Sequence, residues 1–142
     1  MFWTKVLAMR SFKSARPLNA SEVKLFQPYF QANTLANARI VEGNVPFWLH
    51  KSMCAVVLYQ HIFLRMEIDQ PRTYQPNTLR GIELLSHELT HVEQYLSGLT
   101  LIKYLWASRS GYCKNPYEIE AYAKASVVRE QFDNKKLLNS FF

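Results

Sequence analysis

The 142-residue sequence lacks a long apolar run, a paired-cysteine motif and any internal repeat. No stretch approaches the ~20 apolar residues that a membrane-spanning helix requires, and the N-terminus lacks the uninterrupted apolar segment of a signal peptide. Cys54 and Cys113 are far apart, so a disulfide is not implied and we expect two buried thiols in a reducing compartment. We therefore predict a cytoplasmic protein without a transmembrane segment, with non-classical export as the alternative.

Acidic residues are absent from the first 18 positions. The four cations of this segment are Lys5, Arg10, Lys13 and Arg16. They supply +4 of the net charge of +6, which leaves the remainder close to neutral at +2. The basicity is thus interpreted as a property of an N-terminal arm, residues 1–18, and not of a nucleic-acid-binding face. Residues 19–142, in a chain with 49% hydrophobic residues, are expected to form one domain with its own core.

The hydrophobic pattern predicts an α+β domain. The predicted strands are residues 38–42, 54–59 and 61–66. The last two, rich in branched and aromatic residues, form either one long strand or a pair with a tight break near Gln60. The predicted helices are about residues 20–31, 77–97, 99–110 and 115–133. Asn19 and Glu22 form a capping-box pattern for the first helix, which Pro28 should kink or end, and residues 67–77 are predicted to form a loop.

The most informative segment is the H-E-x-x-H motif formed by His87, Glu88 and His91. Two histidines four residues apart lie on one face of a helix, where both imidazoles can reach one metal ion. The glutamate beside the first histidine can take a proton from a water molecule on that metal. The motif therefore predicts two metal ligands and one general base.

The apolar pattern of the same helix supports a functional role for the histidines. Its apolar stripe comprises Ile82, Leu85, Leu89, Val92 and Leu96. At ~100° per residue the stripe covers roughly 80° of the helix circumference, and His87 and His91 lie about 160° away from it. One face is therefore expected to pack on the core and the other to look into a cleft.

A catalytic zinc site usually has three protein ligands and one open position. Glu118 follows His91 by 27 residues, near the start of the last predicted helix, and is favoured as the third ligand. Glu120 is the rival, but it projects about 200° away around the helix, so only one of the two can face the histidines. A structural role competes as well, because Asn115-x-x-Glu118 is a capping-box pattern that would fold the carboxylate back onto the Asn115 amide.

Peptide hydrolysis also needs a hydrogen-bond donor for the developing oxyanion. Tyr122, Tyr117 and His61 are the candidates, and the sequence does not choose among them. Tyr122, on the helix that contains Glu118, is placed with Glu88 in the predicted catalytic set.

The H-E-x-x-H motif followed by Glu118 and Ala121 resembles the gluzincins, whose motif is followed by a glutamate in an E-x-x-A-D or similar helix. Tyr122 stands where that pattern has aspartate, the carboxylate that would orient a ligand histidine. The short chain is similar in size to the minigluzincins. The resemblance implies a zinc peptidase of zincin type.

The run from Gly81 to Gln94, G-I-E-L-L-S-H-E-L-T-H-V-E-Q, resembles the uncharacterised metallopeptidase domain of bacterial extracellular contractile injection systems. That family typically reads L-x-x-H-E-L-T-H-V-x-Q. The segment from Leu18 to Phe30, with its P-Y-F, is also similar, and the resemblance spans about residues 18–125. It implies a zinc-dependent peptidase fold and a partner in a secretion machine, but not a known substrate.

These observations predict a small zincin-like domain with a short, mostly antiparallel sheet, a backing helix, an active-site helix and a glutamate helix. Its predicted function is hydrolysis of a peptide or protein by a water molecule that one Zn²⁺ per chain and Glu88 activate, with no nucleic-acid partner. The main alternative is a non-catalytic, zinc-binding interaction or cargo module of a secretion or contractile injection system. A third hypothesis is a protease whose basic arm binds the phosphates of nucleic acid.

Overall fold

The computed structural model describes residues 15–43, 45–66 and 78–141, and within them the chain forms four short strands and five helices. The strands are β1 (Ala15–Pro17), β2 (Arg39–Glu42), β3 (Ala55–Leu58) and β4 (His61–Leu64). The helices are α1 (Ala20–Phe26), α2 (Ala32–Asn37), α3 (Leu79–Leu96), α4 (Leu101–Ala107) and α5 (Pro116–Phe141). The predicted loop at residues 67–77 and residues 1–14 of the predicted arm lie outside the described residues.

The strands form one sheet in the order β1-β2-β4-β3, in which β2 and β4 are parallel and the other two pairs are antiparallel. This topology confirms the predicted α+β class with a small, mostly antiparallel sheet. Strands β3 and β4 are a pair joined by a tight turn at Tyr59 and Gln60, with Leu58 opposite His61. Tyr59 has a φ of 56°, which lies in the left-handed region that two-residue hairpin turns require.

Strand β1 is absent from the sequence prediction, which places its residues in the N-terminal arm. It pairs antiparallel with β2 along its three residues. The Arg16 guanidinium donates to the carboxylates of Glu22 on α1 and Glu42 on β2, at N–O distances of 2.8 and 2.7 Å. Because three residues of ladder stabilise little by themselves, these two ion pairs help to hold β1 against the sheet and α1.

The first predicted helix ends earlier than predicted, and a second helix that the sequence did not predict follows it. Asn19 and Glu22 form both hydrogen bonds of the predicted capping box, each 2.8 Å long, and α1 ends ahead of Pro28. Helix α2 follows, and the Glu93 carboxylate of α3 accepts a hydrogen bond from the backbone amide of Gln31 at its N-terminus. The sequence prediction omits α2, because this cap comes from a residue 62 positions away in the chain.

Helix α3 has the predicted position, with H-E-x-x-H in its middle and Thr78 capping its first turn. Four of the five predicted stripe residues are buried, whereas Leu96 is exposed, so the prediction is wrong there. The core shared by the sheet, α1, α2, α3 and α5 includes Phe26, Phe30, Leu35, Ile40, Ile62, Leu64, Leu85, Leu89, Val92 and Val128. The opposite side of α3 is also buried, because α5 packs along it.

Helix α5 runs well beyond its predicted end near residue 133. An ion pair between Arg129 and Glu83 joins its middle to α3. The predicted second apolar helix is the seven-residue α4, and short 3₁₀ turns link it to α5.

Cys54 is half-buried and Cys113 is exposed, so the prediction of two buried thiols is wrong for Cys113. Within the described residues, no helix is both long and apolar enough to cross a bilayer.

Replacing Asn115 by alanine is expected to lower the free energy of unfolding by about 2 kcal/mol. The fully buried side chain accepts a hydrogen bond from the Tyr117 amide (2.9 Å) and donates one to the Ser108 hydroxyl (2.8 Å). Urea unfolding in the presence of a chelator measures this loss without a contribution from bound metal. Asn134→Ala, at an exposed position of α5, should change stability by less than about 0.5 kcal/mol. Equal stabilities of the two variants would contradict the structural role of Asn115.

Candidate metal centre

The three predicted metal ligands meet where α3 packs against the start of α5. Nε2 of His87 lies 3.0 Å from Oε2 of Glu118, and Nε2 of His91 lies 3.0 Å from Oε1 of the same carboxylate. The two Nε2 atoms are 3.2 Å apart. All three residues are buried, with exposed fractions of 7%, 6% and 3% in chain order. They form a group whose ligand atoms all lie within 4.8 Å of one another.

The electrostatics of this cluster favour a cation. Burial lowers the pKa of His91, but hydrogen bonding to Glu118 and the charge of Glu88 outweigh that effect and raise it above its ordinary value. Burial raises the pKa of Glu118, yet its hydrogen bonds to His87 and His91 hold it well below the usual range. The pocket thus stabilises an ionised carboxylate beside positive charge. Two imidazole nitrogens and a carboxylate that converge in this way can bind a metal ion.

The carboxylate of Glu118 is turned toward the histidines and not back along its own helix. Asn115 caps α5 through the Tyr117 amide, and the Asn115 amide itself donates to the carbonyl of Tyr112 (3.2 Å). The phenol of Tyr104, on α4, donates to Oε1 of Glu118 at 2.6 Å and fixes its orientation. The structure therefore brings Glu118 to the histidines and satisfies the helix terminus by other means.

The rival glutamate, Glu120, lies outside the cluster. It is exposed, and its carboxylate accepts a hydrogen bond from Nε2 of Gln94 at 3.3 Å. Gln94 in turn accepts one from Nδ1 of His91 at 2.8 Å and donates to the carbonyl of Tyr117 at 3.0 Å. Because the amide nitrogen of Gln94 has these two acceptors, its oxygen faces His91, which places the proton on Nδ1 and leaves Nε2 facing the cluster.

Glu88 lies beside the cluster at a cleft of about 230 Å³. It is buried, and that burial raises its pKa above the ordinary value, against the opposing effect of His87 and His91. The cleft is lined by α3, α5, the 3₁₀ turn before α5 and the segment that leads into β3; its lining includes Ser52, Cys54, Ala55, Glu83, His87, Glu88, Tyr112 and Tyr122. Glu88 therefore lies where a group bound in the cleft could meet it.

Of the three oxyanion candidates, Tyr122 lies at the cleft. Its ring packs edge-on against His87 with a centroid distance of 4.4 Å, and its hydroxyl lies 3.3 Å from that of Tyr112. Tyr117 instead lines a separate cavity with Gln94 and Glu120. His61 lies on β4, where the centroid of its ring is 6.4 Å from that of Phe63, and it does not line the cleft.

Three residues around the cluster are missing from the sequence prediction. Gln94 had a usable signal, since it follows His91 by three residues on the same helix and such pairs are neighbours. Tyr104 and Tyr112 had none, because they reach Glu118 and Tyr122 from a different helix and from the turn that follows it. Their contacts depend on how α4 folds back over the start of α5.

Comparison with solved structures finds the effector domain of Pseudomonas aeruginosa VgrG2b, at 21% sequence identity and a TM-score of 0.46. The match covers 78% of this chain and 53% of that domain, so the chain spans about half the length of the structure it matches. No curated protein matches the chain.

The family comparison covers more than half of the chain. Residues 17–99 match the eCIS core domain, where eCIS stands for extracellular contractile injection system. The matched region includes strands β2 to β4, helices α1 to α3 and the complete H-E-x-x-H motif. It begins at the last residue of β1 and ends before Tyr104 and Glu118. It agrees with the injection-system family that the sequence resembles. The chain therefore belongs to the eCIS core domain family.

Proposed function

We propose that this domain is a zinc metallopeptidase with His87, His91 and Glu118 as the metal ligands. The convergence of their ligand atoms within 3.0–3.2 Å is the observation that supports it most strongly. Zinc bonds of 2.0–2.2 Å at tetrahedral angles separate neighbouring ligand atoms by roughly 3.3 Å, which is within a few tenths of an ångström of these distances. Two histidines and one glutamate are also a donor set of catalytic zinc sites.

When bound, zinc would supply a Lewis acid that lowers the pKa of water and polarises the substrate carbonyl. Glu88 is the general base of the proposal, because its buried carboxylate lies at the cleft immediately beside the first ligand. It accepts a proton from the attacking water and delivers it to the amine that leaves. Tyr122, and Tyr112 through the contact between their hydroxyls, can donate to the oxyanion.

An extended peptide is the substrate that fits the cleft. Its volume of about 230 Å³ is small, below the 300–1,000 Å³ typical of small-molecule pockets. Among the described residues, β3 is an edge strand of the sheet, and its first residue, Ala55, lines the cleft. A peptide in extended form can therefore pair with a strand edge while its backbone passes Glu88.

Replacing Gln94 by alanine is expected to lower the affinity for zinc about 10- to 100-fold. The side chain orients His91 and is itself held by Glu120 and the Tyr117 carbonyl. Competition with a fluorescent zinc chelator measures the dissociation constant. Gln131→Ala, at an exposed position of α5, is the control, and an unchanged affinity in Gln94→Ala would remove the orienting role.

A second candidate is a non-catalytic interaction module of an injection system. The observation that favours it is the extent of the family match, which ends at residue 99 and omits Glu118. In that case the metal would be structural or absent, and the domain would not hydrolyse peptides. Hydrolysis of an unfolded protein by the zinc-loaded chain, compared with the Glu88→Gln variant, distinguishes the two candidates.

A further inference from the structure

The connection between α3 and α5 contains no buried residue from Thr100 to Lys114, all of which the structure describes. Helix α4 makes up about half of this segment, and none of its residues is buried. An apolar helix of a small domain would ordinarily bury its apolar stripe against the core. Here the stripe faces outward.

The exposed side chains form one continuous surface, which we call the α4 apolar face and define as Leu101, Ile102, Leu105 and Trp106. Their exposed fractions are 39%, 80%, 61% and 69%. At 100° per residue these four positions span about 140° of the helix circumference. The face is a protrusion and not a groove, because its side chains project from a single short helix.

Polar contacts hold α4 in place instead of apolar burial. Thr100 caps its first turn through the Lys103 amide, and the phenol of Tyr104 bonds to Glu118 on its inner side. Asn115 donates to the Ser108 hydroxyl at the C-terminal end of α4. Substitutions on the outer face should therefore leave the fold intact, because none of these anchors belongs to it.

The segment that forms the α4 apolar face carries charge of one sign. Residues 99–117 contain Lys103, Arg109 and Lys114 and no acidic residue. The guanidinium of Arg109 lies 4.3 Å above the Trp106 ring, so one of these cations is part of the face itself. The nearest acids along the chain are Glu93, which pairs with Lys124, and Glu118, which is buried. Glu120 bonds to Gln94, and it lines one cavity with Glu93 and Lys103, on the side of α4 away from the apolar face.

We propose that the α4 apolar face docks on an anionic lipid surface. Protruding isoleucine, leucine and tryptophan side chains, with Arg109 on the tryptophan ring and two lysines in the same segment, match the interfacial region of such a membrane. A second copy of the chain fits poorly, since a two-fold contact through this face would place two copies of the same basic segment, each with Arg109 on the Trp106 ring, against each other. A protein partner would need a groove to receive the protrusion, together with acidic residues around it.

Vesicle co-sedimentation of the full chain tests the proposal. Vesicles of phosphatidylcholine alone are compared with vesicles that contain one-third phosphatidylglycerol. Binding is expected to the anionic vesicles only, and it should weaken as salt is raised. The Ile102→Ser/Trp106→Ser double variant keeps every cation of the chain and should bind at least about tenfold more weakly. Val127→Ser, at an exposed position of α5, should bind like the parent.

Four results would overturn the proposal. The first is no binding to either vesicle, and the second is equal binding to both. The third is undiminished binding of the double variant, since the cations of residues 1–18 would then explain the attraction. The fourth is a dimer in sedimentation velocity that the double variant abolishes, which would assign the face to a second copy. Circular dichroism of both variants checks that each is folded, so a loss of binding reports on the face.

Discussion

Substitution of Glu88 by glutamine is expected to lower kcat/KM for peptide hydrolysis by about 10²- to 10⁴-fold while zinc stays bound. Glutamine has nearly the same shape but cannot accept the proton of the attacking water. The side chain is buried at the cleft, and the metal ligands are its neighbours His87, His91 and Glu118. The substitution therefore removes the base and leaves the donor set complete.

Two measurements are needed for this variant, the rate of cleavage of an unfolded protein and the zinc content of the same sample. Glu130→Gln, at an exposed position of α5, removes an equal charge far from the motif and should hydrolyse at the parent rate. Parent-like hydrolysis by Glu88→Gln would exclude Glu88 as the base. Absence of hydrolysis in the parent, with zinc bound, would favour the interaction module.

Substitution of Glu118 by glutamine is expected to weaken zinc binding by more than about 100-fold. Loss of a group that only orients a ligand costs about 10- to 100-fold, and a ligand itself should cost more. Glu118 contacts both histidines and accepts from Tyr104, whereas Glu120, two residues along the same helix, is exposed and contacts Gln94. Glu120→Gln is thus a matched control that should lose about tenfold or less.

The same chelator competition measures both variants, with circular dichroism to verify that each is folded. Equal losses in the two variants would mean that the carboxylates act through general charge and not through coordination. A larger loss in Glu120→Gln would reverse the proposed ligand set, and the metal would then have to lie on the Gln94 side of α3.

Elements that depend on local chemistry could be predicted from the sequence. The capping box of Asn19 and Glu22 acts within one helical turn. The hairpin with its break near Gln60 was one of the two arrangements that the β-rich segments allowed, the other being one long strand. The position of α3 follows from its apolar period. These features need only neighbours along the chain, so one sequence is enough to find them.

Elements stabilised by distant residues could not be predicted. Strand β1 is held by ion pairs of Arg16 to two other elements, and α2 is capped by Glu93. The histidines were expected to look into a cleft, and His87 does line one, but α5 covers much of that side and leaves both histidines buried. Covering of this kind depends on how α3 and α5 pack, and no local pattern contains it.

The candidate site was predictable in its residue types and not in its surroundings. The four-residue spacing of the histidines requires a shared helix face, which the structure has. The competition between cap and ligand at Glu118 could be stated from Asn115-x-x-Glu118, but only the tertiary structure shows Asn115 capping through Tyr117. The phenol of Tyr104 that orients Glu118 arrives through space and has no sequence signal.

Elemental mass spectrometry of the purified chain tests the central proposal most directly. After removal of loosely bound metal by gel filtration, the chain should retain about one zinc per molecule, and His91→Ala should retain almost none. His50→Ala, at an exposed histidine outside the cluster, should keep the parent stoichiometry. A chain that retains no zinc under these conditions, or a His91→Ala variant with the full stoichiometry, would contradict the assignment of His87, His91 and Glu118 as a zinc site.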